Sequence, residues 1–191
     1  MSVLLISGSP SPTSSGARLL YHIGERLASH GHHCSRLLVR DLPAEALLHA
    51  NFSDPAIVRA LAQVAAADAV VIATPVYKAA YSGILKTFLD LLPQEGLDGK
   101  LVLPVATGGS QSHMLALDYA LRPVLAALNA RFILPSIYST SDQLHWHVEQ
   151  GLSLDPAIAP RVARGVEQLS SELFALALRS PAIPLNQTAL A

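Results

Sequence analysis

The chain has 191 residues, the length of one compact domain; 51% of them are hydrophobic and 14% are charged. That composition excludes a disordered segment, because disordered segments bury too little apolar surface to offset their loss of chain entropy. Thirteen basic and fourteen acidic side chains give a formal net charge of −1, which argues against a nucleic-acid binder or a protein drawn to anionic membranes.

The sequence shows no signal for export or membrane insertion. Its single cysteine cannot form an internal disulfide, and its first twenty residues lack a basic start followed by an apolar run. The longest apolar stretch, residues 65–73, contains Asp68 and falls short of the roughly 20 residues that a membrane helix needs. We therefore expect a cytoplasmic protein without a membrane span.

Short apolar runs alternate with helically spaced ones along the chain. In chain order, the pattern predicts a strand at 3–6, a helix at about 19–27, a strand at 34–39, a helix at 55–66, a strand at 69–73, a helix at 81–92, a strand at 101–106, a helix at 117–128, a strand at 133–138 and a helix at 156–178. Strands and helices that alternate at this spacing form βαβ units, whose strands pair in parallel through right-handed crossovers. The predicted fold class is α/β, a doubly wound five-stranded parallel sheet with helices on both faces, in a single domain over 1–178.

Capping residues and prolines predict where these elements begin and end. Asp54 and Asp155 each place a capping carboxylate before a proline at the first helical position. Pro75 is expected to end the third strand, and Pro93 the helix that follows it. The last residues, 179–191, contain two prolines and are expected to form a flexible tail.

The loop after the first strand, SGSPSPTSSGA at 7–17, carries six hydroxyl side chains and no charged one. In doubly wound sheets, ligands lie beyond the carboxyl ends of the strands. Backbone N–H groups at a helix start, joined by hydroxyls, can hold an anion without a cation. The motifs that bind a dinucleotide pyrophosphate or a nucleoside triphosphate are absent, which favours a monophosphate such as that of FMN. The alternative is an ordinary loop rich in serine and proline.

The loops after the third and fourth strands, 74–78 and 107–109, are expected to be neighbours. A flat tricyclic ring needs an apolar wall, close backbone approach at small residues, and N–H donors at its polar edge. Pro75, Val76, Tyr77 and the glycine pair supply such parts. The alternative is a boundary tyrosine beside an ordinary glycine turn.

Several segments resemble one known family. TPVYKAAYSGILKTFLDLLP at 74–93, LPVATGG at 103–109 and HMLALDYALRPVLAAL at 113–128 closely resemble the NAD(P)H-dependent FMN reductases of the alkanesulfonate-utilisation type, as do GSP at 8–10 and DLPAEALLHANFSDPA at 41–56. The resemblance runs from about residue 3 to about residue 140. It implies a flavodoxin-like fold, bound FMN, NADPH or NADH as reductant, and delivery of reduced flavin to a partner monooxygenase that desulfonates alkanesulfonates.

The same resemblance implies which residues bind the cofactor. Those expected at the flavin phosphate are Ser9, Ser11, Ser14, Ser15, Gly16 and Ala17, and those expected at the ring are Pro75, Val76, Tyr77, Lys78, Thr107, Gly108 and Gly109. Relatives commonly carry arginine and a run of serines in the first loop, where this chain has Ser11 and the segment 15–17. Since charge-assisted contacts contribute about 1.5 to 3 kcal/mol each, their loss is expected to loosen FMN.

The helix at 117–128 contains a proline. Pro123 lacks the N–H that would bond to the carbonyl of Tyr119, so a kink or a π-bulge is expected near Tyr119. In the resembled family, a tyrosine in a π-helix at this place lies in a helix-to-helix subunit interface. The resemblance therefore implies that Tyr119 contributes to a dimer or a homotetramer, and the alternative is a proline-kinked surface helix.

Two further signals are given less weight. Cys34 and Arg40 match the C-x5-R spacing of low-molecular-weight phosphatases, but the residues between them are expected to form a strand rather than a phosphate loop. The clustered histidines are His30, His32, His33, His145 and His147. They fall in expected loops without the ligand pattern of a zinc site, so no metal is expected. His113 either reaches the nicotinamide pocket or caps a helix.

The expected reaction is hydride transfer from NAD(P)H to flavin N5, and it requires no acid–base side chain because the cofactor carries the chemistry. Backbone donors would stabilise the developing charge at the N1/C2 edge of the ring, and Lys78 either adds positive charge there or is solvated. Two alternatives stay open: a flavodoxin-like electron carrier without NAD(P)H activity, and a quinone or azo reductase. Electron carriers of this fold are usually strongly acidic, which the net charge of −1 does not match.

Overall fold

The computed structural model describes residues 1–179. Its strands are β1 Ser2–Ser7, β2 His33–Leu38, β3 Ala69–Tyr77, β4 Ala80–Tyr81, β5 Leu101–Gly108, β6 Phe132–Ile133, β7 Ile137–Thr140, β8 Leu144–His147 and β9 Gly151–Leu154. Its α-helices are α1 Ser15–Ser29, α2 Ala44–Leu48, α3 Pro55–Ala66, α4 Gly83–Leu89, α5 Arg122–Ala127 and α6 Ala159–Arg179. A π-helical segment covers Leu117–Leu121, and single turns of 3₁₀-helix cover Val39–Asp41, Gln111–His113 and Ser141–Gln143.

The main sheet has the strand order β2, β1, β3, β5. The short strands β6 and β7 follow one another along the free side of β5 and form the edge of the sheet. Each of these pairs is parallel. The chain leaves β1 for β2 on one side and returns to β3 on the other, so the strand order reverses between β1 and β3. This is the doubly wound, flavodoxin-like order in which ligands bind at the reversal point. The predicted fold class is confirmed, with the fifth strand in two pieces.

Both faces of the main sheet are buried, because successive side chains of a strand point to opposite faces. Val3 and Leu5 of β1 pack with α1 and α6 on one face. Leu4 and Ile6 pack with α3, α4 and α5 on the other. The buried positions of α1 recur at helical spacing and include Leu19, Leu20, Ile23 and Leu27. This two-sided burial explains why β1, β3 and β5 have continuously apolar sequences.

The third strand is longer than the sequence predicts. Pro75 does not end it, and β3 continues to Tyr77. The reason lies in the neighbouring strand: β1 ends at Ser7, opposite Ala73, so no β1 residue needs the N–H that Pro75 lacks.

The prediction of a helix from residue 81 to Pro93 is wrong at both ends. The chain turns at Lys78 and Ala79 and returns as β4, antiparallel to β3, which places Tyr81 in a strand. The helix α4 then begins at Gly83, after the capping residue Ser82, and ends at Leu89. A short hairpin therefore stands between β3 and the helix that follows it.

The fifth strand and the last helix also differ from their predicted bounds. The predicted strand at 133–138 is interrupted between Ile133 and Ile137, and its two pieces are β6 and β7. Leu134 donates its N–H to the carbonyl of Val102, but the next β5 residue that faces this edge is Pro104, which has no N–H to donate, and the pairing shifts by one residue. The carboxylate of Asp155 accepts a hydrogen bond from the N–H of Ala157 at 2.8 Å, but this caps a turn, and α6 begins only at Ala159. The sequence pattern also missed α2 and the β8–β9 hairpin, and it placed the start of α1 four residues too late.

Of the two distortions predicted near Tyr119, a kink or a π-bulge, the structure contains the π-bulge. The N–H of Arg122 donates to the carbonyl of Leu117, five residues back, and Pro123 occupies the first turn of α5. Proline cannot supply the next bond of a regular helix, so the chain widens to π-helical geometry over the turn that contains Tyr119.

No helix within residues 1–179 is both long enough and apolar enough to cross a membrane. The helix α6 extends to Arg179, one residue past its predicted end. The predicted tail lies, from residue 180 onward, outside the described residues, so the boundary of the domain stays a prediction.

Candidate functional site

Three loops meet at the carboxyl edge of the sheet, where the strand order reverses. The N–H of Gly8, just after β1, donates to the carbonyl of Ala73 in β3 at 2.8 Å. Pro75 of β3 lies opposite Thr107 of β5. A Cβ atom added at Gly16, in the first turn of α1, would lie 3.0 Å from Oγ1 of Thr107. The structure therefore brings the predicted phosphate loop and the two predicted ring loops together.

The loop between β1 and α1 is shaped by its own hydroxyl groups. Ser9 is buried, and its Oγ accepts a hydrogen bond from the N–H of Ser11 at 3.2 Å. The Oγ of Ser14 caps α1 by accepting from the N–H of Ala17 at 3.1 Å. The N–H groups of the first helical residues, Ser15 and Gly16, have no acceptor within the helix, as at any helix start. These two N–H groups are therefore free to bind a ligand.

A further hydroxyl beneath the helix start has no partner. Ser7 follows Val3 and Leu5 on the face of β1 that α1 covers, and it is buried. Its Oγ makes no hydrogen bond within the described residues. A buried hydroxyl without a partner is uncommon, and this one lies at the edge of the sheet where the phosphate is expected.

Two arginines that were not predicted as site residues lie close to this loop. The Nη1 atom of Arg40 is 3.5 Å from the carbonyl oxygen of Ser11, and its Nε is 3.4 Å from the carboxylate of Asp41. The guanidinium of Arg18, at the fourth position of α1, lies 4.5 Å above the ring of Trp146. The spacing of Arg18 from the loop serines could have revealed it. The C-x5-R spacing drew attention to Arg40, but no local pattern places Arg40 beside Ser11, 29 positions away.

Buried hydroxyl groups lock the loop after β3 to the loop after β1. The Oγ of Ser82 donates to the carbonyl of Gly8, and it accepts from the N–H of Leu85 at 3.3 Å. The N–H of Ser82 donates to Oγ1 of Thr74 at 3.0 Å. Ser82 was not predicted as a site residue, although a serine directly before a helix is a typical capping signal.

The turn that follows β3 has an unusual backbone. Lys78 and Ala79 both have positive φ angles, 50° and 64°, in a two-residue hairpin turn. Turns of this kind usually contain Gly or Asn at these positions, because other residues pay a steric cost there. Strain of this kind tends to occur at functional sites. It places the exposed side chains of Tyr77 and Lys78 beside the reversal point.

The two glycines at the end of β5 differ in their surroundings: Gly108 is closely packed, and Gly109 is open. A Cβ atom at Gly108 would collide with the hydroxyl of Tyr138, which donates to the carbonyl of Ser110. Burial raises the pKa of Tyr138 above its ordinary value, so this donor also resists deprotonation in alkaline solution. A Cβ atom at Gly109 would meet nothing within 4 Å, so its backbone faces open space.

His30 and His32 lie in the turn between α1 and β2, as predicted, whereas the second cluster, His145 and His147, lies in a strand rather than in a loop. His32 is buried, with Nε2 2.8 Å from the Oγ of Ser170. Within residues 1–179, no three His, Cys, Asp or Glu side chains are arranged to hold a metal ion. His113 is exposed in a 3₁₀ turn. Cys34 lies in β2, as predicted, and the residues that follow it form a strand rather than a phosphate loop.

The site is suited to a flavin mononucleotide. Free N–H groups at a helix start, an unpartnered buried hydroxyl and nearby arginines match a phosphate group. The buried Pro75, the half-buried Val76 and the open backbone of Gly109 match a flat ring with a polar edge.

Comparisons with known proteins agree with this geometry. The family model described as NADPH-dependent FMN reductase matches residues 1–144. The chain is 49% identical to an FMN reductase (NADPH) of Pseudomonas putida, over 75% of this chain and 73% of the relative. It is 45% identical to an FMN reductase (NADPH) of Escherichia coli K12, over 75% of each chain. The crystal structure of an NADH:FMN oxidoreductase, EMOB, in its apo form superposes with a TM-score of 0.82 at 35% identity, covering 90% of this chain and 89% of that one.

The family match spans every loop of the candidate site, from Gly8 to Gly109. The structural match extends beyond it into the last helix, since it covers 90% of the chain. On both grounds, this chain belongs to the NADPH-dependent FMN reductase family.

Proposed function

We propose that this protein catalyses the reduction of FMN by NADPH or NADH. The observation that carries the proposal is the meeting of the loops after β1, β3 and β5, in which Gly16 lies against Thr107. All three loops lie inside the segment that the family model matches. Two of the relatives are named for NADPH and the similar crystal structure for NADH, so both nucleotides are candidate reductants.

At the phosphate end, the residues divide into ligands and supports. The N–H groups of Ser15 and Gly16 bind the phosphate, with the half-buried hydroxyls of Ser11 and Ser15 beside them. The hydroxyls of Ser9 and Ser14 are engaged inside the loop and hold its shape. The first turn of α1 adds the favourable end of the helix dipole.

At the ring end, small and apolar residues allow close approach. Pro75 and Val76 form the wall, and Gly109 offers an accessible N–H at the polar edge. When bound, FMN supplies the hydride acceptor at its N5 atom. The protein orients the nicotinamide against the flavin ring, and Lys78 adds positive charge near the ring edge. No side chain needs to transfer a proton for the hydride step.

Rapid mixing under anaerobic conditions tests this function. The protein is mixed with FMN and either NADPH or NADH, and the visible flavin absorbance should disappear at a rate that saturates with nucleotide. FAD and riboflavin serve as comparison acceptors. Flavin that binds but keeps its absorbance with both nucleotides would identify an electron carrier or a flavin-binding module instead.

We also propose that the reduced FMN leaves for a partner monooxygenase, in a cytoplasmic homo-oligomer. The resemblance to reductases of alkanesulfonate utilisation supports such a partner. Tyr119 and Leu115 are 79% and 53% exposed, and large apolar side chains exposed together mark interaction surfaces. The neighbouring α5 and α4 border a groove of about 380 Å³ lined partly by Leu89 and Val124.

Replacing Tyr119 tests the interface. Tyr119→Ala should lower the molar mass measured by light scattering, because the exposed ring would lose its contact with a second copy. Phe174→Ala, at another exposed aromatic on α6, is the matched control. An unchanged mass in Tyr119→Ala would leave the π-helical turn as a surface feature.

A further inference from the structure

The start of α1 carries a positive charge that no acidic side chain balances. Its first turn contains no acidic residue, and Arg18 is the fourth residue of the helix. Within residues 1–179, no carboxylate oxygen lies within 4.0 Å of the Arg18 guanidinium. A cation near a helix N-terminus is unfavourable, because that end of the helix dipole is already positive. A bound anion would remove this conflict.

The position of Arg18 places it on the side of α1 that carries the loop serines. It follows Ser14 by four residues and Ser15 by three, the spacings that put side chains on one face of a helix. Helical side chains also lean toward the N-terminus. Arg18 therefore leans toward the free N–H groups that we assign to the flavin phosphate.

The hairpin β8–β9 holds Arg18 in this position. Trp146 of β8 lies under the guanidinium at 4.5 Å, and Leu144 and Leu154 of the same hairpin pack on the core beside α1. β8 starts four residues after Thr140, whose partner in β5 is Gly108. The hairpin therefore leaves the main sheet at the edge that carries the candidate site, and Trp146 lies beyond the segment matched by the family model.

Two further observations support Arg18, rather than Arg40, as the cation that would bind an anion at this helix start. Arg40 is already engaged by the carboxylate of Asp41 and by the carbonyl of Ser11. The hydroxyl of Ser7, buried beneath the same helix start, has no partner within the described residues. An unbalanced cation and an unpartnered buried donor at one helix start both point to an anion.

We propose that Arg18, held by Trp146, is a cationic ligand of the FMN phosphate and gives this protein its preference for FMN over riboflavin. The inference rests on the proposed function, because it assumes that the loop after β1 binds the flavin phosphate. It assigns to the hairpin, which lies beyond the matched segment except for Leu144, a role in setting flavin affinity. It also supplies, from just outside the loop, a charge-assisted contact of the kind whose loss was expected to loosen FMN.

Binding measurements on two flavins test the inference. FMN and riboflavin share the ring and differ in the phosphate, so the ratio of their dissociation constants measures how the phosphate is recognised. Arg18→Gln should weaken FMN binding about tenfold or more and leave riboflavin binding unchanged. The wild-type FMN affinity should also fall with added salt more steeply than that of Arg18→Gln.

Arg36→Gln is the matched control. The guanidinium of Arg36 lies 4.3 Å above the ring of Tyr21, so it makes the same kind of contact, but from β2 and away from the loop. This variant should keep the FMN-to-riboflavin ratio of the wild type. Circular dichroism and urea unfolding of both variants show whether either change disturbs the fold.

Trp146 provides an independent readout. It is the only tryptophan of the chain, so its fluorescence should be quenched when FMN binds nearby. Trp146→Ala should weaken FMN in the same direction as Arg18→Gln, whereas Trp146→Phe, which retains an aromatic ring, should restore most of the affinity.

The outcomes separate the inference from the proposed function. An equal FMN-to-riboflavin ratio in Arg18→Gln and Arg36→Gln would overturn the inference and leave the reductase intact. Equal affinity of the wild type for FMN and riboflavin would overturn it as well. A wild type that binds neither flavin and bleaches neither with NAD(P)H would overturn the proposed function.

Discussion

The two loops that build the candidate site are held by different kinds of contact. In the loop after β1, the hydroxyls of Ser9 and Ser14 bond to backbone groups two and three residues away. In the loop after β3, Ser82 bonds to Gly8, which is 74 residues away in the sequence, and to the hydroxyl of Thr74. The first loop shapes itself, whereas the second is fixed by buried contacts with its neighbour. Disruption of the second loop should therefore cost more stability.

Ser82→Ala should give the largest loss. It leaves the carbonyl of Gly8 and the N–H of Leu85 without their partner in a buried setting, so the free energy of unfolding should fall by about 3 kcal/mol. Urea unfolding measures the loss. Ser171→Ala, at an exposed position of α6, is the control and should change stability by less than about 0.5 kcal/mol. If the two variants were equally stable, this hydroxyl would not lock the loops together.

Ser14→Ala should give a smaller loss of stability but a clear loss of flavin affinity. The change removes only the cap of α1, which contributes about 1 kcal/mol, since its bond to the N–H of Ala17 is local. The same cap orders the N–H groups that we assign to the phosphate, so FMN binding should weaken more than riboflavin binding. Urea unfolding and flavin titration measure the two effects. A stability loss as large as that of Ser82→Ala would remove the distinction between a local and a long-range loop.

The opposite end of the sheet offers a region that the flavin should not sense. His32 is buried beside Ser170, and desolvation, the N-terminal amino group and His30 lower its pKa. Because the unfolded chain then binds a proton more readily than the folded one, stability should fall as the pH drops below about 6.5, by at most about 1 kcal/mol for this group down to about pH 5.5.

The variant His32→Gln isolates this contribution. Its unfolding free energy should depend less on pH than that of the wild type over the same range. Its FMN affinity at neutral pH should stay unchanged, because His32 precedes β2 at the amino ends of the strands. A loss of FMN binding in this variant would show that the two ends of the sheet are coupled.

The contrast between local and long-range contacts also explains what the sequence can predict. The parallel α/β architecture follows from alternating patterns, and the hydroxyl loop and the helix distortion at Pro123 follow from local motifs, so these features were predictable. The lock through Ser82 joins residues 74 positions apart, and Arg40 reaches Ser11 across 29 positions. No periodicity or capping rule specifies such pairs.

The errors in the predicted bounds have the same origin. Pro75 normally ends a strand, but here the neighbouring strand has already ended, so the proline costs nothing. A single sequence does not show where the neighbouring strand of the sheet ends. The turn at Lys78 and Ala79 was missed for a related reason, since neither residue favours positive φ, and the surrounding fold imposes it.

Ala79→Gly should produce the smallest change in stability and a specific change in function. Glycine adopts positive φ without the steric cost that alanine pays, but it also has more freedom in the unfolded chain. The net result should be a gain of about 0.5 kcal/mol in the free energy of unfolding, measured in urea. Ala50→Gly, at a φ of 50° outside the three loops, is the matched control and should give a similar gain.

The kinetics of the two glycine variants decide whether the strained turn serves the flavin. If the strain holds Tyr77 and Lys78 against the ring, Ala79→Gly should slow flavin reduction in the rapid-mixing experiment, because a more flexible turn positions them less well. Ala50→Gly should keep the wild-type rate. Equal rates of flavin reduction in both variants would mean that the strain in the β3–β4 turn comes from the surrounding fold and does not serve the flavin. The loop would then be linked to the site through Ser82 alone.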